Sequence, residues 1–259
     1  MQDGKTEPVL EIRDLTKIFR RRGQTPLTAV DGVSFSLLPG ECLGIIGESG
    51  SGKSTLVNMI TRLIDADSGQ ILLKGRDITR LRGKALRSVY SEIQMVFQQP
   101  ADSFDPRRTL EDGIGESLRN NGWSAAAARE ETAKLLDLCD LPAEFAGRYP
   151  HEVSGGQCQR AAIARALAIR PSILLCDEAT SALDVTVQQE IMSLLGDLRR
   201  QQGRNFSILF ICHDIALVQE FCDRVLVMYQ GRIVEEGIPD TVIQCPAHPY
   251  TKRLIDSIL

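Results

Sequence analysis

The sequence predicts an α/β fold built on a mainly parallel sheet, and three stretches predict it. An apolar run, Leu43-Gly44-Ile45-Ile46, enters the turn Gly47-Glu48-Ser49-Gly50-Ser51-Gly52-Lys53-Ser54-Thr55, and a helix-periodic segment follows with Leu56, Met59, Ile60, Leu63 and Ile64 on one face. A second run, Ile173-Leu174-Leu175-Cys176, is unbroken and suits a parallel strand covered on both faces. A third, Ser207 to Cys212, lies one helical segment further on. Strands alternating with helices build a parallel sheet whose ligands gather at the strands' C-terminal edge.

The remaining elements follow in chain order. Val9-Leu10-Glu11-Ile12-Arg13 and Gly32 to Leu37 alternate as half-buried strands, which predicts an antiparallel β flank beside the glycine-rich turn. Phe19 falls between them, placed either to stack on an adenine ring or to serve as an ordinary core or loop phenylalanine. Gln70 to Leu73 and Ile93 to Phe97 read as strands, the second delivering Gln98-Gln99-Pro100. From about 101 to 170 the strand signals vanish, and Leu110 to Leu118, Ser124 to Cys139 (with Ser124 as N-cap) and Gly156 to Ala168 read as helices. Thr186 to Gln201 reads as a helix and Arg224 to Tyr229 as a strand. One domain over 1–259 is expected: a core of 1–100 and 171–240, a helical subdomain inserted at about 101–170, and a short tail, 241–259.

Composition narrows the function. With 259 residues and 43% hydrophobic content, the chain can bury a large core. Thirty basic against 34 acidic residues, net −4, give no bulk electrostatic case for nucleic acid or an anionic membrane, and the basic runs Arg20-Arg21-Arg22 and Arg107-Arg108 read as solvated loops. Met1 to Pro8 lacks the apolar segment of a signal peptide, and no apolar run approaches the ~20 residues of a membrane-spanning helix. Any membrane crossing is expected from a partner. Seven cysteines without a C-x-x-C spacing fit reduced thiols, with Cys42, Cys176 and Cys212 as small buried hydrophobes.

The turn carries the chemistry. Gly47, four residues, then Gly52-Lys53-Ser54 match G-x-x-x-x-G-K-[ST], whose glycines let backbone N–H groups face phosphates. Lys53 is placed to reach the β- and γ-phosphates and Ser54 to ligate Mg²⁺, with a helix N-terminus aimed at the anion. Asp177 and Glu178, ending the buried strand, are the complement: Asp177 for the Mg²⁺ shell and Glu178 for polarising the attacking water. A solvated strand-end acidic pair is the plain alternative, disfavoured by the apolar run before it and by Lys53. Val153-Ser154-Gly155-Gly156-Gln157 reads as a second anion site or as an ordinary capped helix start. Two cradles for one triphosphate suggest two chains arranged head to tail, each closing the other's site.

These stretches together resemble the ATP-binding cassette (ABC) ATPases over nearly the whole chain and in the family's order. Gly47 to Thr55 match Walker A, Gln98 the Q-loop, Val153-Ser154-Gly155-Gly156-Gln157 the signature motif, and Ile173 to Glu178 Walker B. Ser181-Ala182-Leu183-Asp184 match the D-loop and His213 the switch histidine. The resemblance implies a P-loop NTPase cassette with an antiparallel β subdomain and an inserted helical one, and ATP and Mg²⁺ as cofactors. It implies an adenine-stacking role for Phe19, a place for Gln98 in the Mg²⁺ shell, and a γ-phosphate contact for His213, which residue reasoning alone leaves as a structural strand-end histidine or a functional one. Val153 stands where leucine is usual and Ala179 where proline is usual, and neither change removes a chemical group.

A narrower resemblance, to the dipeptide/oligopeptide/nickel importer ATPases, rests on four stretches. They are Phe97-Gln98-Gln99-Pro100, Ser103-Phe104-Asp105-Pro106-Arg107, Tyr149-Pro150-His151-Glu152 and Pro246-Ala247-His248-Pro249-Tyr250-Thr251. Gln157-Cys158-Gln159-Arg160 and Asp223 to Tyr229 are similar to the second of the two ATPases that such importers pair. It implies a peripheral protein on the cytoplasmic face of the plasma (inner) membrane, working with a different cassette, two transmembrane permease subunits and, indirectly, an extracytoplasmic solute-binding protein. No nucleic acid is implied, and the cargo stays open among peptide, nickel and metallophore. The rival is an ABC subunit of a non-transport complex such as carbon-phosphorus lyase.

Overall fold

The computed structural model describes residues 7–20, 23, 25–179 and 183–257. Arg21 and Arg22 of the basic run, and Ser181 and Ala182 of the D-loop stretch, lie outside the described residues. The chain opens with β1 (Leu10–Phe19) and β2 (Leu27–Leu37), then β3 (Cys42–Ile46), α1 (Lys53–Ile60), β4 (Ser68–Leu73) and β5 (Arg76–Asp77). There follow α2 (Gly83–Glu92), β6 (Ile93–Val96), α3 (Leu110–Asn120), α4 (Ala125–Leu138) and α5 (Gly155–Leu167). The last part holds β7 (Ile173–Asp177), α6 (Val185–Gln202), β8 (Ser207–Ile211), α7 (Ile215–Phe221), β9 (Arg224–Tyr229), β10 (Arg232–Gly237), α8 (Pro239–Gln244) and α9 (Pro249–Asp256).

Among the described residues these strands form two sheets. One is antiparallel, in the order β2-β1-β4-β5; the other runs β10-β9-β3-β8-β7-β6 and is parallel except for the β10–β9 hairpin. Period-2 alternation divides the larger sheet's side chains between two cores. Leu43 and Ile45 of β3, with Ile173 and Leu175 of β7, meet α1 and the antiparallel sheet on one face. Cys42 and Ile46, with Leu174 and Cys176, meet α5 and α6 on the other. Covering on both faces is why these strands are continuously apolar.

Topology places the chemistry. β8 lies between β3 and β7, so the turn after β3 and the carboxylates at the end of β7 open on the same C-terminal edge, one strand apart. The predicted helices of the middle segment are present, and Ser124 caps α4 by accepting from the Ala127 amide. One expectation needs correcting. α1 stops at Ile60, so Leu63 and Ile64 lie beyond it and Leu63 is 56% exposed. The Arg62 backbone is left-handed (φ 61°), which ends the helical path there.

Candidate nucleotide site

The turn after β3 depends on two glycines. Gly47 has φ 150° and Gly52 φ 109°, and a Cβ on either would lie 2.2 Å from a backbone oxygen, that of Met228 or Ala29 respectively. No side-chain-bearing residue fits either place without moving the backbone. Gly52 occupies the N-cap of α1 without offering a side-chain cap, so the helix's first amides keep their capacity for an external anion. Lys53, the first residue of α1, is buried at 5% exposure; its Nζ donates to Gly47 O at 2.6 Å, Glu48 O at 2.9 Å and Ser51 Oγ at 3.4 Å. Burial pulls its pKa down, and the charges of Glu178 and Asp177 oppose that.

A cleft of about 620 Å³ opens over this turn, lined by Phe19, Ser49, Gly50, Gly52, Lys53, Ser54, Thr55 and Glu178 among others. Phe19 is the last residue of β1, 39% exposed at the cleft, with Lys17 Nζ 5.7 Å from its ring centroid. Exposure at a cleft wall favours the stacking reading of Phe19 over the core one. Gly47, Glu48 and Ser51 shape the turn from behind and do not line the cleft.

Two carboxylates with different surroundings stand at the end of β7: Glu178 lines the cleft and Asp177 does not. Asp177 Oδ1 is buried without a hydrogen-bond partner, and burial, then the neighbouring Glu178, push the pKa up against the pull of Lys53. Such an atom is costly unless a cation or donor comes to it. Glu178 adopts φ 49°, a left-handed conformation rare for a residue with a side chain, while its N–H stays on Ile211 O at 3.0 Å. The chain thus turns sharply as it leaves the sheet, and Glu178 faces the cleft.

Gln98, two residues past β6, and His213, two residues past β8, are exposed at the same strand edge and outside the cleft lining. Ser154, Gly155, Gly156 and Gln157 do not line the cleft either. They start α5 with a reciprocal capping box: Ser154 Oγ accepts from the Gln157 amide at 3.3 Å, and Gln157 Oε1 accepts from the Ser154 amide at 2.9 Å. Gly156 keeps α6 close, since a Cβ there would lie 2.4 Å from Val187 Cγ1.

Sequence reasoning missed Gln230 and Gly231, which line the cleft from the β9–β10 turn. Both have positive φ, 47° and 81°, the signature of a two-residue I′ hairpin; a Gln-Gly pair between two strand-like runs was the available signal.

Phosphate-ready turn, buried lysine and paired carboxylates on one strand edge define a nucleoside-triphosphate-binding cassette. The comparisons with known proteins agree. Residues 30–181 match the model of the ABC transporter family. The chain belongs to that family. It is 46% identical to the peptidoglycan transport ATP-binding protein YejF of Agrobacterium fabrum, over 98% of this chain and 48% of that protein. It is 44% identical to the oligopeptide transport ATP-binding protein AppF of Bacillus subtilis, over 100% of this chain and 80% of that one. For the glutathione import ATP-binding protein GsiA of Escherichia coli the figures are 45% identity, 97% and 41%. The chain thus spans about half or less of the length of YejF and GsiA. Among solved structures, the ATP-binding cassette MJ0796, a dimer in a post-hydrolysis state bound to ADP and Pi, superposes with TM-score 0.81 at 30% identity, covering 89% of this chain and 98% of that one. The cassette cbiO1 of Clostridium perfringens, part of the transporter complex cbiONQ, gives TM-score 0.81 at 27% identity, covering 92% of each chain.

Proposed function

We propose that this chain is an ATP-hydrolysing subunit that powers import of a peptide-type solute through an ABC transporter. The observation that carries the reading is the cleft itself, where a buried Lys53 faces Glu178 across a helix start left open for phosphate. The relatives' names, which speak of peptidoglycan, oligopeptide and glutathione transport, supply the solute class. In this reading Phe19 stacks on the adenine, the 47–55 turn and Lys53 hold the phosphates, Glu178 takes the proton of the attacking water, and His213 orients the γ-phosphate.

The residues present fit a magnesium ion. Asp177 Oδ1 is a buried acceptor without a partner, the kind of oxygen a hard cation satisfies. Ser54, Gln98 and Asp177 would hold it, and it would supply charge neutralisation at the phosphates.

Because Ser154 to Gln157 stand outside this chain's own cleft, a second cassette is needed to bring an equivalent loop to it, and a different cassette is the proposed partner. No helix among the described residues is long and apolar enough to cross a membrane. Two permease subunits would supply the crossing, with a solute-binding protein outside and this chain peripheral on the cytoplasmic face. The segment 101–170 would act as the subdomain that passes the motion on. Purifying the tagged chain from its native membranes tests this: two polytopic chains and solute-stimulated ATP hydrolysis are expected, and soluble phosphonate-metabolism partners in their place would overturn it.

A further inference from the structure

The C-terminal Pro246-Ala247-His248-Pro249-Tyr250-Thr251 stretch reaches the nucleotide turn from behind. Tyr250, in the first turn of α9, is 1% exposed, and its Oη accepts from the Glu48 backbone N–H at 2.9 Å. That N–H belongs to the peptide whose carbonyl is Gly47 O, the acceptor that holds Lys53 Nζ at 2.6 Å. N–H and C=O of a trans peptide point in opposite directions, so fixing the one aims the other. The phenol ring is fixed in turn: it stacks on Tyr229, centroids 4.0 Å apart and planes 25° apart, immediately after Met228, whose carbonyl crowds Gly47.

The tail is fastened at its entry as well. Glu235 of β10 accepts from the Ala247 and His248 amides at 2.8 and 3.0 Å, and His248 Nδ1 caps α9 by accepting from the Tyr250 amide at 3.1 Å. Burial pushes the Tyr250 pKa up against the Glu48 amide, so the hydroxyl stays neutral around pH 7.

We propose that Tyr250 is a positioning residue of the nucleotide site, its hydroxyl orienting the Gly47–Glu48 peptide and through that peptide the Lys53 ammonium that meets the phosphates. The tail is then part of the phosphate-binding apparatus. This inference rests on the nucleotide-binding reading of the cleft.

The test is Tyr250→Phe, which keeps the ring and its stack and removes the acceptor. Equilibrium titration of the full chain with a fluorescent ATP analogue (MANT-ATP) should show Kd rising about threefold to tenfold, in the range expected for one neutral hydrogen bond. In the assembled complex KM for ATP should rise alongside while kcat stays within about twofold, and the melting temperature of the nucleotide-free chain should fall by no more than about 2 °C. Lys53→Ala is measured in parallel. An unchanged Kd in Tyr250→Phe beside a weakened Lys53→Ala would overturn the positioning role alone, whereas unchanged affinity in Lys53→Ala would overturn the site reading beneath it. A large drop in melting temperature with kcat and KM failing together would also overturn the inference, making Tyr250 a tail anchor and nothing more.

Discussion

Two helices of this protein begin at glycine-rich loops, and they begin differently. α1 starts behind Gly52, which is left-handed and gives no side-chain cap, and its first residue is a buried lysine. α5 starts at Ser154, whose hydroxyl and the Gln157 side chain satisfy each other's amides on an exposed surface. The first end is unfinished by itself and needs an anion; the second is stable alone and has a hydroxyl and further amides to offer a neighbour. In the proposed reading, similar composition marks two unlike roles: one would hold a ligand, the other would close a site that lies elsewhere.

The largest effect is expected at Glu178. Glu178→Gln keeps the shape of the side chain and removes the base, so ATP turnover of the assembled complex should fall by roughly a hundredfold or more, with MgATP binding retained. Near wild-type turnover would remove Glu178 from the chemistry. Lys53→Ala comes next: among the described residues lining the cleft Lys53 is the one cation, and its loss should weaken ATP affinity by about tenfold to a hundredfold, read by titration.

Asp177 gives the smallest effect and the most diagnostic sign. Its carboxyl has a raised pKa in the folded chain, so between the ordinary carboxylate pKa and the folded one the native state binds more protons than the unfolded state, and stability falls as pH rises through that window. Asp177→Asn should then raise the melting temperature of the nucleotide-free chain by roughly 1–4 °C at pH 7 while impairing turnover, and the gain should vanish below about pH 4, where both forms are neutral. A destabilised Asn variant at pH 7 would mean that Asp177 holds the fold together and is not reserved for a cation.

Much of this was legible in the sequence for identifiable reasons. β3, β7 and β8 are covered on both faces, so their apolar runs are unbroken, and the residues that follow them are the ones the strand edge collects. α2 left a weaker trace, because Val89 is its one fully buried residue and Leu86, three positions earlier, is only half-buried against the same core. α7, from Ile215 to Phe221, is too short for a periodic pattern to declare itself. The Tyr250–Glu48 contact joins residues 202 positions apart, and its His-Pro-Tyr-Thr context was visible as a family mark without any local signal of what the hydroxyl would touch. Leu63 shows the opposite error: a helical period continued on paper past the point where Arg62 turns the backbone away.

In the proposed reading a working site joins the α1 start of one cassette to the α5 start of another, and Ser154→Arg disrupts that junction from the α5 side. Replacing the N-cap costs the helix only about 1 kcal/mol, while the bulk and charge block the approach to a facing cleft. The measurement is paired: ATP affinity of the isolated variant, and ATPase rate of the assembled complex carrying it. An affinity within about twofold of wild type and a rate reduced by about tenfold or more are expected. Loss of ATP binding by the isolated Ser154 variant, or a complex that turns over at the wild-type rate, would contradict that reading.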